Sequence, residues 1–249
     1  MPPLAGRTAI VTGVSRRAGI GFAVAQKLAA MGANLTIHSW SPEDRDGVEE
    51  LLAELRGEGV AVEHVEADFA RPGAAAVVVS TARARFGHVD IVVANHAHSS
   101  SGGLATVTEE EIDLSMAVNL RGSVMLVKEL AAQHDGRPGG RAVMMTSGQH
   151  RGPMGSELAY ALSKGAIHQA TASLADELAD RAITVNTVNP GPTDTGWADA
   201  ATHLAVLAQM PQGRWGQPSD AARLIGWLCS DDAAWVTGQV IDSEGGFRR

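Results

Sequence analysis

Short apolar runs alternate with helix-periodic stretches along the chain. Residues 8–11 form a short apolar, partly β-branched run typical of a strand that is buried on both faces, and residues 35–38 are predicted as a second strand. Between them, a glycine-rich turn precedes apolar residues at helical spacing, and this stretch ends at Gly32. The first forty residues therefore predict a strand, a turn, a helix and a second strand.

The same alternation continues to the end of the chain. Further strands are predicted at 60–66, 90–94, 141–145, 183–188 and 239–241. Helices are predicted over 43–57, 73–86, 108–133, 157–179 and 221–228, with a short apolar helix among the prolines and glycines of 190–213. Strands that alternate with helices are joined by right-handed crossovers. The pattern thus predicts an α/β fold, a Rossmann-type doubly wound parallel sheet with helices on both faces, as a single domain over 1–249. Ligands of such sheets bind at the carboxyl ends of the strands.

The amino-acid composition excludes several classes of binding partner and of protein. With 20 basic and 28 acidic side chains, the 249 residues carry a net charge of −8. This charge argues against a nucleic acid or an anionic membrane as the main partner. The single cysteine, Cys229, excludes an internal disulfide. No run of about 18 apolar residues could span a membrane, and the first residues lack the regions of a signal peptide. We therefore expect a cytoplasmic protein.

Residues 12–21 form the glycine-rich turn between the first strand and the first helix. Glycines let the backbone approach a phosphate closely, and a helix N-terminus offers unpaired N–H groups with a partial positive charge. A glycine turn at this place also occurs as a tight connection without a ligand. By itself, the turn leaves both interpretations open.

Tyr160 and Lys164 form a candidate acid–base pair. Tyr160 is the only tyrosine, and Lys164 is one of three lysines in a chain rich in arginine. Residues four apart lie on one face of a helix. A nearby cation lowers the pKa of a phenol from about 10 toward neutrality, and a guanidinium could not exchange a proton as an amine does. The pair predicts proton transfer, although this spacing also arises by chance in helices.

Ser147 follows the predicted strand at 141–145, on the edge of the sheet where ligands bind. Its hydroxyl could donate a hydrogen bond to a substrate carbonyl. A serine that merely opens a loop is the common alternative.

Together these features resemble the short-chain dehydrogenase/reductase family. The resemblance runs from about Arg7 to Phe247, with the motifs in family order and spacing. They are the glycine turn, Asn119, Ser147, Tyr160 with Lys164, and Pro190-Gly191. Residues 146–154 and 189–197 are similar to a bacterial subgroup labelled 3-oxoacyl-[acyl-carrier-protein] reductase-like.

The resemblance implies roles for four catalytic residues. Tyr160 would protonate the carbonyl oxygen as hydride arrives from a nicotinamide, or act as the base in reverse. Lys164 would lower the pKa of Tyr160 and bind the nicotinamide ribose, and Ser147 would polarise the carbonyl. Asn119 would hold a water that links Lys164 to solvent.

The resemblance also implies contacts with cofactor and substrate. Asp68 would meet the adenine amino group, and the Pro190-Gly191 turn and Thr193 would meet the carboxamide. The expected cofactor-binding residues are Gly13, Ser15, Arg16, Arg17, Gly19, Ile20, Gly21, His38, Ser39, Asp68, Asn95, Ala97, Tyr160, Lys164, Pro190, Gly191, Thr193 and Thr195. The expected substrate pocket comprises a loop over 192–213 and the residues His98, Gln149, His150, Met154 and Trp197.

Three departures from the family pattern affect this site. Five residues separate Gly13 from Gly19, where three are usual. The usual Asn-Asn-Ala-Gly run reads Ala94-Asn95-His96-Ala97, which adds an imidazole, and His98 stands where an apolar or aromatic residue is commoner. A metal held by His96 and His98 is conceivable, but no cluster of carboxylates or cysteines supports it. We predict no metal.

Charge favours NADP(H) over NAD(H). NAD-specific sheets commonly end the second strand with an acidic residue that holds the ribose hydroxyls, whereas this chain reads His38-Ser39-Trp40. Arg16 and Arg17 lie in the glycine turn, where guanidiniums could pair with a 2′-phosphate. The alternative is a solvated pair of arginines on a surface loop.

The leading hypothesis is an NADP(H)-dependent oxidoreductase that transfers hydride between nicotinamide and a carbonyl or secondary alcohol. The substrate could be a 3-oxoacyl thioester, free or carrier-bound, or a polyketide-like ketone. Arg137 and Arg181 are candidates for a basic patch that docks an acidic carrier. A non-catalytic cofactor-binding regulator is the alternative. The resemblance further implies a homotetramer or dimer, for which the small residues of the 157–179 helix suit close packing.

Overall fold

The computed structural model describes residues 1–40 and 47–249. Its centre is a seven-stranded parallel sheet in the order β3-β2-β1-β4-β5-β6-β7. The strands are β1 Thr8–Thr12, β2 Asn34–Ser39, β3 Val62–Glu66, β4 Ile91–Ala94, β5 Gly140–Met145, β6 Ile183–Asn189 and β7 Val240–Asp242. This order confirms the predicted doubly wound α/β class. The strand order reverses between β1 and β4, so a crevice opens at their carboxyl ends.

Helices connect the strands and cover both faces of the sheet. They are α1 Ile20–Ala30, α2 Val48–Gly57, α3 Ala74–Phe86, α4 Glu109–Ser115, α5 Gly122–Gln133, α6 Leu158–Leu178, α7 Ala200–Ala208 and α8 Pro218–Cys229. Residues 43–46, which the sequence assigned to the start of α2, lie outside the described residues. The predicted helix over 108–133 is not a single α-helix, because Met116–Arg121 is π-helical. Such bulges occur often at functional sites, and this one contains Asn119.

Two apolar layers hold the helices on the sheet. On one face, fully buried Leu28 and Ile225 pack with Ile37 of β2. On the other face, Leu126 and Ile167 pack against the strands. Every residue of β1 is buried, as expected for a parallel strand covered on both faces. The layers leave the carboxyl edge of the sheet as the place where loops gather.

None of the helices among the described residues is long and apolar enough to cross a membrane.

Candidate active site

The carboxyl edge of the sheet brings most of the predicted site together. Gly13, Ser39, Asn95 and Pro190 each end or directly follow a strand on that edge, and Ser147 lies two residues after the end of β5. Parallel strands all end there, so segments far apart in sequence become neighbours.

Asn95 clamps the glycine turn. Its Nδ2 donates to the main-chain oxygen of Thr12 at 2.9 Å and to that of Gly13 at 3.3 Å. A methyl group at Gly21 would overlap the Gly13 carbonyl, and one at Gly13 would lie 2.9 Å from Asn95 Nδ2. Gly13 also has a φ of +74°, which favours glycine. These glycines are therefore required by close packing, and the Asn95 amide is used within the protein.

The turn leads into a helix N-terminus suited to an anion. α1 begins after Gly19, which is in an extended conformation and makes no side-chain cap. The first N–H groups of a helix lack partners within it. Ile20 and Gly21 lie in this first turn and Ser15 lies in the preceding loop, so the predicted phosphate contacts converge here.

The His38 side chain is hydrogen-bonded to the backbone of the glycine-rich turn. It is completely buried, its Nε2 donates to Ala67 O at 2.8 Å, and its Nδ1 accepts from Gly13 N at 3.3 Å. Burial lowers the pKa of His38 to about 3, an effect that the Ala67 hydrogen bond opposes and that His96 and His64 reinforce. The neutral imidazole therefore positions the turn, and a cofactor contact at His38 stays a prediction.

Ser39 is likewise buried, and its Oγ lies 2.9 Å from His64 Nε2. Its hydroxyl bonds strand β2 to strand β3, and a cofactor contact at Ser39 stays a prediction. Asp68 caps the backbone after β3, with its Oδ1 2.9 Å from Ala70 N. Its carboxylate is one-third exposed. The contacts with adenosine that the family resemblance implies for Asp68 and Ala97 stay predictions.

The two arginines of the turn differ in their surroundings. Both are exposed, but the Arg17 guanidinium pairs with Glu54 and also lies 3.6 Å from Glu50. Arg17 is therefore oriented toward the acidic face of α2. A phosphate on this side would compete with those carboxylates, a feature that sequence reasoning missed.

Tyr160 and Lys164 lie on one face of α6, as predicted. The Lys164 ammonium lies 5.5 Å from the centre of the Tyr160 ring and donates to Met145 O at 2.9 Å. Lys164 is 2% exposed, and burial lowers its pKa to about 8. An amine with this pKa can exchange a proton near neutral pH.

The predicted lowering of the Tyr160 pKa is wrong in this structure. Burial raises the pKa of Tyr160 to about 12, the nearby Glu157 carboxylate adds to the rise, and a hydrogen bond with Ser147 opposes it. The Lys164 ammonium does not offset this rise in the Tyr160 pKa, because it is bonded to the Met145 carbonyl at the end of β5. Tyr160 is thus a neutral phenol, the protonation state that a proton donor requires.

Ser147 is placed by its neighbours. Its N–H donates to Gln149 Oε1 at 3.2 Å, and its Oγ lies 4.0 Å from Met154 Sδ. The adjoining Thr146 Oγ1 donates to Lys164 O at 2.9 Å. The end of β5 is thus tied to α6 beside the Tyr160 phenol. The Gln149 amide supports this loop, and its expected place in the substrate pocket stays a prediction.

Asn119 joins two elements of the site. Its Oδ1 accepts from His98 N at 2.7 Å, and its Nδ2 donates to His98 O at 3.0 Å and to Ser163 Oγ at 2.9 Å. Ser163 Oγ in turn donates to Tyr160 O at 2.8 Å. The side chain of Asn119 therefore connects the loop after β4 to α6 beside Tyr160.

The turn after β6 is compact. Gly191 has a φ of +63° and its N–H donates to Asn189 Oδ1 at 3.0 Å. Thr193 is buried, with its Oγ1 3.2 Å from Gly191 O, whereas Thr195 is half-buried. Pro190, Gly191 and Thr193, which are expected to contact the carboxamide, thus lie on the same edge of the sheet as Ser147.

The predicted pocket residues are only partly available to a substrate. His98 Nε2 lies 2.7 Å from Glu111 Oε1, and His150 Nε2 lies 3.0 Å from Asp242 Oδ1. Trp197 is 56% exposed, although its Nε1 donates to Thr193 O at 3.1 Å. The two histidines are therefore engaged in pairs with carboxylates.

Sequence reasoning missed five residues at this edge. They are Thr146, Glu157, Ser163, Glu244 and Arg249. Burial raises the pKa of the Glu157 carboxyl, one turn before Tyr160. No pattern in the sequence separates these residues from ordinary loop or helix residues, because their roles depend on contacts across the fold.

Within 1–40 and 47–249, no group of three or more histidines, cysteines and carboxylates could hold a metal ion.

Comparisons with known proteins agree with this geometry. A family model described as enoyl-(acyl carrier protein) reductase matches residues 13–248. Human dehydrogenase/reductase SDR family member 4 is 32% identical over 250 residues, which cover 98% of this chain and 88% of the human protein. The chain belongs to the short-chain dehydrogenase/reductase family.

Other members of the short-chain dehydrogenase/reductase family are similar over the whole chain. An uncharacterized oxidoreductase of Bacillus subtilis, YjdA, is 40% identical over 245 residues, which cover 98% of this chain and 97% of that protein. The crystal structure of the angucycline C-6 ketoreductase LanV with bound NADP has a TM-score of 0.89 at 33% identity, and covers 98% of this chain and 96% of LanV. The protein is thus an oxidoreductase of the class that acts on CH–OH and C=O groups.

Proposed function

We propose that the protein is an NADPH-dependent reductase of bulky, apolar ketones, and a dehydrogenase of the corresponding alcohols in reverse. The observation that carries the proposal is the arrangement of Ser147, Tyr160 and Lys164. A neutral phenol bonded to a serine hydroxyl stands beside a buried amine with a pKa of about 8. This arrangement suits delivery of a proton to a carbonyl oxygen.

When bound, a reduced nicotinamide supplies the hydride that the carbonyl carbon receives. Ser147 Oγ donates a hydrogen bond that orients and polarises the carbonyl. Tyr160 Oη donates its proton to the oxygen as negative charge develops there. Lys164, mostly protonated below pH 8, then returns a proton to the phenolate.

The chain's own residues fit a dinucleotide. The uncapped start of α1 suits the pyrophosphate, and the open edge at Asp68 and Ala97 suits the adenosine. The turn at Pro190-Gly191 borders the place where the carboxamide would lie. LanV, at 33% identity, binds NADP, which supports this cofactor.

Exposed apolar side chains favour a bulky substrate. Trp197 and Leu204 lie in the segment after β6 and are 56% and 67% exposed, and Leu104 in the loop after β4 is 86% exposed. A carrier-bound thioester is disfavoured, because Arg137 and Arg181 precede strands β5 and β6 and so lie at the opposite edge. Arg137 is also paired with Asp135 at 2.5 Å.

A substrate panel tests the function. Purified protein is mixed with NADPH and either a polycyclic aromatic ketone, a simple aliphatic ketone or a 3-oxoacyl thioester, and NADPH oxidation is followed. We expect the highest kcat/KM for the polycyclic ketone. Tight NADPH binding without oxidation of any substrate would favour the non-catalytic regulator instead.

Replacing Arg16 and Arg17 together with alanine should reduce kcat/KM for NADPH about ten- to a hundredfold more than for NADH. A charge-assisted hydrogen bond contributes roughly 1.5–3 kcal/mol, and β2 ends in His38-Ser39 without an acid. Kinetics with both cofactors, in wild type and variant, measure the effect.

Glu54→Gln is the matched control for this prediction. It removes a partner of Arg17 without changing the turn, so NADPH use should be retained or improved. A wild type that prefers NADH, or an equal loss with both cofactors in the double variant, would show that these arginines do not select the cofactor.

Two implications of the family resemblance stay predictions. We expect a homotetramer or dimer, in which the small residues of α6 allow close helix packing. We also expect a cytoplasmic location. Light scattering that gave a 25.9 kDa particle would contradict the first.

A further inference from the structure

An ion pair between Glu244 and Arg249 lies next to the loop that carries Ser147. Glu244 follows β7, and its side chain is 6% exposed. Both of its oxygens accept from the Arg249 guanidinium, at 3.0 and 2.8 Å. The Arg249 side chain is itself only 21% exposed. A two-pronged pair of this kind fixes orientation as well as contributing energy.

Arg249 packs against the loop that carries Ser147. A methyl group at Gly148, the next residue, would overlap the guanidinium, and one at Gly152 would lie 2.7 Å from Arg249 Cδ. The central carbon of the guanidinium, Cζ, lies 5.0 Å from the centre of the Phe247 ring. Arg249 therefore occupies the space that side chains at these two glycines would need.

Glu244 packs against the turn after β6. A methyl group at Gly191 would overlap the Glu244 side chain. Asn189 Nδ2 donates to Glu244 Oε2 at 3.0 Å, and Asn189 Oδ1 accepts from Gly191 N at 3.0 Å. The carboxylate is thus bonded on one side to the turn and on the other to Arg249.

We propose that Glu244 and Arg249 are positioning residues of the active site, whose ion pair holds the Ser147 loop against the Gly191 turn. The pair sets the distance between the groups that bind the substrate carbonyl and those that border the nicotinamide. Removing the guanidinium leaves the buried Glu244 carboxylate without its main charged partner. Arg151 Nε, at 3.7 Å from Glu244 Oε1, is too distant to replace that pair fully. The kinetic part of this inference rests on the proposed function.

The test compares Arg249→Ala with Arg248→Ala. Arg248 is exposed and precedes Arg249 in the chain, so its replacement removes the same charge without touching the pair. We expect Arg249→Ala to lower kcat about ten- to a hundredfold, because small misplacements of reacting groups are costly. Calorimetric binding of adenosine 2′,5′-bisphosphate, which reports only the adenosine half of the site, should stay unchanged. Arg249→Lys should recover only part of kcat, since an ammonium cannot form the fork.

Amide hydrogen exchange on the ligand-free protein supplies a readout that needs no activity. Arg249→Ala should accelerate exchange in residues 148–152 and 190–192 relative to Arg248→Ala. If Arg249→Ala does not fold, Glu244→Gln provides the same comparison. Unchanged exchange in both segments together with wild-type kcat would overturn the proposal. An inactive wild type would refute the reductase function alone, and exchange would still decide the positioning role.

Discussion

Tyr160→Phe is expected to lower kcat/KM for ketone reduction about a thousandfold. A positioned general acid contributes roughly 10²–10⁴-fold, and Tyr160 is the neutral donor next to Ser147 and Lys164. The substitution removes only the hydroxyl and keeps the ring near the Lys164 ammonium. Steady-state NADPH oxidation, with the best ketone of the panel, measures the loss.

NADPH binding and the melting temperature serve as controls for Tyr160→Phe. Both should stay close to wild type, because the ring and its packing remain. A variant that retains a third or more of wild-type kcat/KM would show that another group donates the proton. A variant that loses cofactor binding in parallel would assign Tyr160 a binding role instead.

His38→Gln should make the protein's stability less sensitive to acid. The pKa of His38 is lowered to about 3 in the folded protein, mainly by burial, against about 6.5 unfolded. Between these values the unfolded state binds the proton and the folded state does not, so the free energy of unfolding falls as pH falls. At about 1.4 kcal/mol per pKa unit, the His38 contribution to this loss is roughly 3 kcal/mol between pH 7 and 4.5.

Urea unfolding at pH 7, 5.5 and 4.5 tests this expectation. Wild type and His38→Gln share all other titrating groups, so the difference between their pH dependences isolates His38. A glutamine side chain can still accept a hydrogen bond from Gly13 N and donate one to Ala67 O. The substitution should therefore lower the free energy of unfolding at pH 7 by about 1 kcal/mol. Parallel curves for the two proteins would contradict the neutral, buried state of His38.

Sequence reasoning predicted the features that local patterns encode. Apolar runs and helical spacing located the strands within a few residues, because burial on both faces demands continuous apolar positions. The pairing of Tyr160 with Lys164 followed from helix geometry. Sequence reasoning gave the wrong direction for the Tyr160 pKa, because the pKa depends on burial and on the nearby Glu157. The Lys164 ammonium that was expected to lower it is bonded to Met145 O.

The same limit explains the histidines and arginines. His38 lies near the end of β2, and the partners that hold its ring, Ala67 and Gly13, come from other parts of the chain. Arg17 was assigned to a phosphate because it lies in the glycine turn. Its pairing with Glu54 on α2 could not be foreseen, because that carboxylate is distant in sequence. Side-chain direction at strand ends is set by such distant partners.

The sequence by itself determined the parallel α/β fold, the edge where the candidate site residues gather and the placement of Tyr160 and Lys164 on one helix face, since periodicity, strand order along the chain and four-residue helical spacing are local properties. The tertiary structure decided which groups are charged and which are already bonded. It alone brought Glu244 and Arg249 beside the Ser147 loop, across about a hundred residues of chain. The physical reason is that desolvation and ion pairing depend on distances in space, which spacing along the chain does not encode.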